Sequence, residues 1–219
     1  MKKLFIGFVA IAIIVGAVWY APKYLAYSDH PAKADVIVLF AGADWNARKK
    51  EALKLMADGY AQRLYIPFFG KLIDEPTSKI SGANKPIAIG HYPWYFEKTH
   101  IEILEAKKMM DKAGFKSAIF VSSPFHMRRI KVISSKIYSD NNVKFVATRY
   151  EKPSIKLWLF NTKAIKNVTN EYLKLGVVLT YRIFAEYTSH AHHHITKPYL
   201  PLSACKRSYG RSSSLCLYL

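Results

Sequence analysis

The sequence predicts an α/β domain, a three-layer sandwich around a mostly parallel sheet, preceded by one N-terminal transmembrane helix. Three observations carry the prediction. An uncharged apolar run follows two lysines at the N-terminus. Beyond it, short apolar runs of β-branched type alternate with longer segments of helical period. Glycine or proline stands at many of the joints between them.

Lys2 and Lys3 precede the run from Leu4 to Tyr20. Carried through Ala21 and Pro22, it reaches the ~20 residues a helix needs to cross a bilayer. Trp19 and Tyr20 fall where an interfacial aromatic belt would lie. A cleaved signal peptide is the competing reading, but Trp19, Tyr20, Pro22, Lys23 and Tyr24 make a poor cleavage context. Residues 1–22 are therefore read as an uncleaved anchor in the cytoplasmic membrane, single-pass. The lysines at the start keep the N-terminus inside and put the domain on the outer side. Lys23 and Lys33 on the far side pull the other way. Residues 23–34 read as a linker.

The domain is placed at 35–187. Residues 36–40 (VIVLF) form a continuous apolar run, as in a buried parallel strand. Residues 47–58 carry an apolar stripe through Ala47, Ala52, Leu53, Leu55 and Met56, with Gly59 as the stop. Residues 63–67 read as a second strand closed by Pro67, and 68–84 as loop. Residues 86–90 are a weaker strand. Residues 99–113 are a helix ended by Gly114, and 117–121 a strand. A basic amphipathic helix follows at 126–138, a strand at 143–147, and an aromatic-rich helix at 167–185. The tail 188–219 has no Asp or Glu, both cysteines and half of the histidines. Its texture differs from the body, and it is read as disordered or atypical.

Lys and Arg number 33 against 15 Asp and Glu, a net charge of +18. That balance favours anionic partners: nucleic acid, acidic lipid headgroups or phosphorylated ligands. The lysines are scattered and form no recognition helix or finger, which argues against nucleic acid. The two cysteines, Cys205 and Cys216, leave the body with no disulfide framework or thiolate metal site. His190, His192, His193 and His194 lie in or beside the tail, so no metal is expected. There is no P-loop, no G-x-G-x-x-G after the first strand, no G-x-S-x-G elbow and no H-E-x-x-H. The residues name no cofactor.

In open α/β sheets ligands bind beyond the carboxyl ends of the strands, so those loops supply the candidates. After the first strand, Gly42 permits a tight turn or close approach to a ligand, and Asp44 can cap the next helix. Arg48 falls in the first turn of that helix, where a cation is unfavourable unless an anion sits above it. Thr99 and Glu102 have the spacing of a capping box. Ser122, Ser123 and Pro124 lead from a strand into a helix whose first N–H groups form an anion site. Arg128 and Arg129 add forked cations, although only Arg129 shares a face with His126. His126 could act as general acid or base. The competing reading of the same residues is an N-cap serine and a solvated basic helix.

Three stretches resemble the YdcF/SanA/ElyC-like family, also known as domain of unknown function 218. They are residues 33–42 with Arg48, the segment from Thr99 (THIEILEA), and residues 119–129 (IFVSSPFHMRR). Residues 170–182 are similar to the family's closing helix. The resemblance spans roughly residues 33–185 and is most specific in the S-x-x-H-x-x-R pattern. It implies a Rossmann-like domain behind a membrane anchor, with a role in the cell envelope, peptidoglycan or lipid-carrier metabolism. Carried over, its pocket residues are Gly42, Arg48, Thr99, Glu102, Ser122, His126 and Arg129. The chain departs from the pattern with a single glycine at 41–44, with residues 67–70 (PFFG) in place of a second glycine-rich loop, and with Ile101 where the family has an acid. The expected ligand is anionic, a small molecule or a lipid-linked phosphate, with membrane lipid as a further partner. Any reaction would be hydrolysis or transfer at the phosphate. A non-catalytic envelope scaffold and a nucleotide-type cofactor binder are the alternatives; the single glycine speaks against the last.

Overall fold

The computed structural model describes residues 2–74, 92, 97–138, 142–151, 155 and 157–192, with side chains as far as 180. The expected strand at 86–90 and residues 193–219 of the expected tail lie outside the described residues, while residues 188–192 of that tail continue the last helix. Met1–Val178 form one compact unit and Leu179–Leu219 another.

The first unit is mixed α/β. Helix α1 (Lys2–Leu25) leads to β1 (Val36–Leu39), α2 (Trp45–Ala57), β2 (Leu64–Ile66) and β3 (Lys71–Ile73). Then come α3 (Lys98–Ala113), β4 (Ala118–Ser122), α4 (Pro124–Ile137), β5 (Val143–Ala147) and α5 (Thr162–His192). The sheet order is β3-β2-β1-β4-β5. Strand β1 pairs in parallel with β2 and β4, and β4 with β5; only β3 runs antiparallel, on β2. The mostly parallel sheet is as expected. Strand β3 is an addition, within a stretch read as loop. A three-residue run cannot display a period, and Pro67–Phe69 before it turns as a 3-10 helix.

Alternate residues of β1 feed separate cores, as the period of two requires. Val36, Val38 and Phe40 join Ile103 and Met110 of α3 and Met127 and Ile130 of α4. Ile37 and Leu39 join Ala52, Leu55 and Met56 of α2. With both faces covered, the central strands are apolar throughout. Gly114 ends α3 at φ 73°, a left-handed conformation that a side chain would strain.

Helix α1 is long and apolar enough to cross a membrane, and none of its 18-residue apolar window is buried. It continues past residue 22, because Pro22 sits in the last turn and that turn is packed. Leu25 is fully buried with Phe125, Trp158, Ala164 and Val168. The supposed linker is also attached. The Asp29 N–H donates to the Phe145 carbonyl at 2.6 Å, and Asp29 Oδ2 accepts from the Phe145 N–H at 3.0 Å. Ser28 Oγ accepts from the Ala147 N–H at 3.1 Å. These residues occupy the backbone of the outer strand β5, which would otherwise be an open edge.

Candidate functional site

The carboxyl ends of β1 and β4 lie side by side, and two buried arginines are built into the loops that follow. Arg48 is in the first turn of α2, where the helix dipole disfavours a cation. Its guanidinium turns back to the end of β1. Nη1 donates to the carbonyls of Phe40 at 3.2 Å and Ala41 at 2.8 Å, and Nε donates to Ser123 Oγ at 2.9 Å. The chain's own oxygens thus meet the Arg48 guanidinium. Burial lowers its pKa first, and Glu151 and Asp44 oppose that. Gly42 has a role the sequence reading did not assign. A Cβ there would lie 2.5 Å from Arg48 Nη1, so the glycine leaves room for the guanidinium.

Arg129, on the first turns of α4, is only 1% exposed. Nε donates to Glu171 Oε2 at 2.9 Å and Nη2 to Oε1 at 3.2 Å. Nη1 donates to Thr99 Oγ1 at 2.8 Å and also to Glu97. Nη2 reaches His126 Nδ1 at 2.7 Å. The same ring nitrogen lies 3.3 Å from Glu171 Oε1, and Nε2 lies 3.3 Å from Thr99 Oγ1, so the ring sits between a cation, a carboxylate and a hydroxyl. Burial, more than any other cause, pushes the His126 pKa down to about 4. Burial alone would raise Glu171, but its contacts with His126 and Arg129 hold it at about 2. All five guanidinium N–H groups of Arg129 therefore have partners within the protein.

Above this network opens a cavity of ≈ 810 Å³. Its lining includes an aromatic cluster, Trp45, Phe68 and Phe69, whose rings touch, and the polar residues Glu97, Lys98, Thr99, Glu102, His126, Arg129 and Lys174. Ala41 and Gly42 complete the lining. Glu102 is 6% exposed. Burial raises its pKa to about 7, against a hydrogen bond from the Ala41 N–H and the charges of Arg48 and Arg129. A buried carboxyl that titrates near neutrality, on a cavity wall, can take up or release a proton there.

The expected residues separate into two groups. Gly42, Thr99, Glu102, His126 and Arg129 meet at the cavity. Arg48, Ser123, Asp44, Ser122 and Arg128 do not line it. Ser123 is the N-cap of α4, yet its hydroxyl binds Arg48 instead of capping the helix. Asp44 is the N-cap of α2 without a side-chain cap, and its carboxyl lies beside that of Glu151. Ser122 is fully buried as the last residue of β4, and its hydroxyl has no partner among the described residues. Arg128 points the other way around α4: its Nε donates to the Tyr24 carbonyl at 2.9 Å. The capping box is also absent. Helix α3 starts one residue earlier, with Glu97 at its N-cap, and the Thr99 hydroxyl is drawn to Arg129.

Glu97, Glu171, Lys174 and the three aromatic residues escaped the sequence reading. Glu171 lies within residues 170–182, which only resemble the closing helix of the YdcF/SanA/ElyC-like family, and nothing in its spacing marks it. Among the described residues, no group of three or more His, Cys, Asp or Glu is arranged to hold a metal ion. No protein-family model, curated protein or solved structure matches the chain.

Proposed function

We propose that this chain is a membrane-anchored protein of the bacterial cell envelope whose α/β domain binds an anionic amphiphile, a lipid-linked phosphate. The observation that carries the reading is the mixed lining of the cavity, which holds the aromatic side chains Trp45, Phe68 and Phe69 together with Lys98, Thr99, Arg129 and Lys174. Such a lining suits a ligand with a hydrocarbon part and a charged head. Further support comes from α1, from the basic charge and from the resemblance to the YdcF/SanA/ElyC-like family. In this reading the domain is a Rossmann-like three-layer sandwich on the outer side of the cytoplasmic membrane.

Because Arg129 has no N–H to spare, the head must displace one of its acceptors. Glu97 is the one to leave: its side chain is 29% exposed, against 12% for Glu171. The phosphate then lies between Arg129 Nη1, the Thr99 hydroxyl and the two lysines. Glu102 is the side chain suited to accept a proton from an attacking water or hydroxyl during hydrolysis or transfer. His126, held neutral, orients Arg129.

The test is binding of a fluorescent short-chain polyprenyl phosphate to the full chain in detergent. A Lys98→Ala/Lys174→Ala variant should bind about tenfold more weakly, ~1.4 kcal/mol. Glu97→Gln should bind several-fold more tightly. Equal affinity for the uncharged polyprenol would refute the reading. The fully partnered Arg129 also favours a second reading, a scaffold with no turnover. Full complementation of an envelope-stress phenotype by Glu102→Gln would select it.

A further inference from the structure

The 3-10 turn Trp158–Phe160 exposes large apolar side chains beside the end of α1, and this inference rests on α1 crossing a bilayer. We propose that Leu157, Leu159 and Phe160 insert into the leaflet in which α1 ends, giving the domain a second membrane contact. Phe160 is 82% exposed and Leu157 61%. Side chains of that size, adjacent on one short turn, form an apolar patch of the kind that marks an interaction surface.

Three observations identify the bilayer as the occupant. First, the turn packs against the C-terminal end of α1, just past the apolar run. Trp158, between the exposed residues, is 8% exposed and packs in one cluster with Leu25, the last residue of α1. Second, the helix after the turn is joined to α1. The Tyr172 hydroxyl donates to the Ala21 carbonyl at 3.0 Å, and the Tyr172 and Tyr24 rings stack at 6.4 Å. Third, the surroundings have the character of a headgroup layer. Arg128 lies over the rings of Tyr24 at 4.3 Å and Tyr27 at 4.7 Å, and Lys131 over Tyr27 at 3.7 Å. Lys163 and Lys166, both exposed, follow the turn in α5. Cations and aromatic rings flanking apolar side chains match an anionic lipid interface. The contact would also fix the orientation of α4. Its Arg128 faces the lipid side and its next residue, Arg129, the cavity, so a lipid-linked ligand would meet the site at headgroup level.

The experiment uses the full chain with Cys205→Ser and Cys216→Ser, reconstituted in phosphatidylglycerol/phosphatidylethanolamine vesicles. Single cysteines are introduced as Phe160→Cys, Leu159→Cys and, as control, Lys112→Cys at the far end of α3, each labelled with an environment-sensitive dye. At 160 and 159 the emission should shift to the blue and fall at least twofold with brominated acyl chains, while 112 should not respond. Water-like emission at 160 and 159, with the chain still bound after a carbonate wash, overturns the inference and leaves the anchor intact. A blue shift without bromine quenching means burial against a second copy and also overturns it. A chain that washes off overturns both the inference and the membrane-anchored reading.

Discussion

Arg48 and Arg129 are both buried at the carboxyl ends of the central strands, and they meet the penalty of burying a charge in different ways. The hydrogen-bond acceptors described for Arg48 are uncharged, two backbone carbonyls and a serine hydroxyl, and Glu151 and Asp44 add coulombic support. Arg129 is held by two carboxylates, a threonine and a neutral histidine. The first arrangement is a strut that ties the loop after β1 to the start of α4. The second is a charge network facing a cavity, and under the proposed function it changes partners when an anion arrives. A buried arginine is therefore not by itself an anion site; the charge of its existing partners decides.

The distinction can be broken most directly by removing each cation. Arg129→Met strands the low-pKa carboxylate of Glu171 and should destabilise by about 3–5 kcal/mol in denaturation of the detergent-solubilised chain. Adding Glu171→Leu should restore most of that loss. Arg48→Met leaves neutral hydrogen-bond acceptors unpaired and takes a counter-charge from Glu151 and Asp44, and about 2–3 kcal/mol is expected. If Arg48→Met costs as much as Arg129→Met, the contrast disappears. Gly42→Ala forces its methyl against the Arg48 guanidinium, for about 1–2 kcal/mol. That cost should largely vanish in the Arg48→Met background, because the clash and the strut are the same contact.

The smallest effect is in the pH dependence. The folded-state pKa of His126 is depressed from 6.5 to about 4, so its contribution is lost as pH falls through that window. The folded-state pKa of Glu102 is raised from 4.5 to about 7, so the folded state binds the extra proton and stability is lost as pH rises through that window. The slopes of these two groups oppose each other where the windows overlap, so each masks the other in the wild type. Glu102→Gln should expose a rise with pH, and His126→Asn a fall. A wild-type slope that neither variant alters would show that these groups do not titrate as their surroundings imply. At lower pH, stability should fall further as Glu171 protonates, in the window from 4.5 down to about 2.

Much of the fold was legible because its strands and helices have clear periods. Strand β5 falls where the sequence places it, and α2, α3, β4 and α4 are displaced by one or two residues at either end. The site was legible in part. His126 and Arg129 share a helical face, and their meeting follows from spacing alone. Their acidic partners do not follow, since Glu97 and Glu171 are separated from Arg129 by 32 and 42 residues. Thr99 and Glu102 show how a local pattern can be overridden. They have capping-box spacing, but Arg129 offers the hydroxyl a charged donor that a helix N–H cannot match.

The sequence by itself determined the apolar N-terminal helix, the alternation that builds a mostly parallel sheet, and the loops at which ligands are sought. All of these rest on neighbours in the chain or on the period of one element. Only the tertiary structure decided which side chains meet there. It sent Arg48 and Ser123 to each other, Arg128 to the tyrosines at the end of α1, and Glu171 of α5 to Arg129. The physical reason is that a buried charge must find partners wherever the fold supplies them, and sequence distance does not enter that requirement.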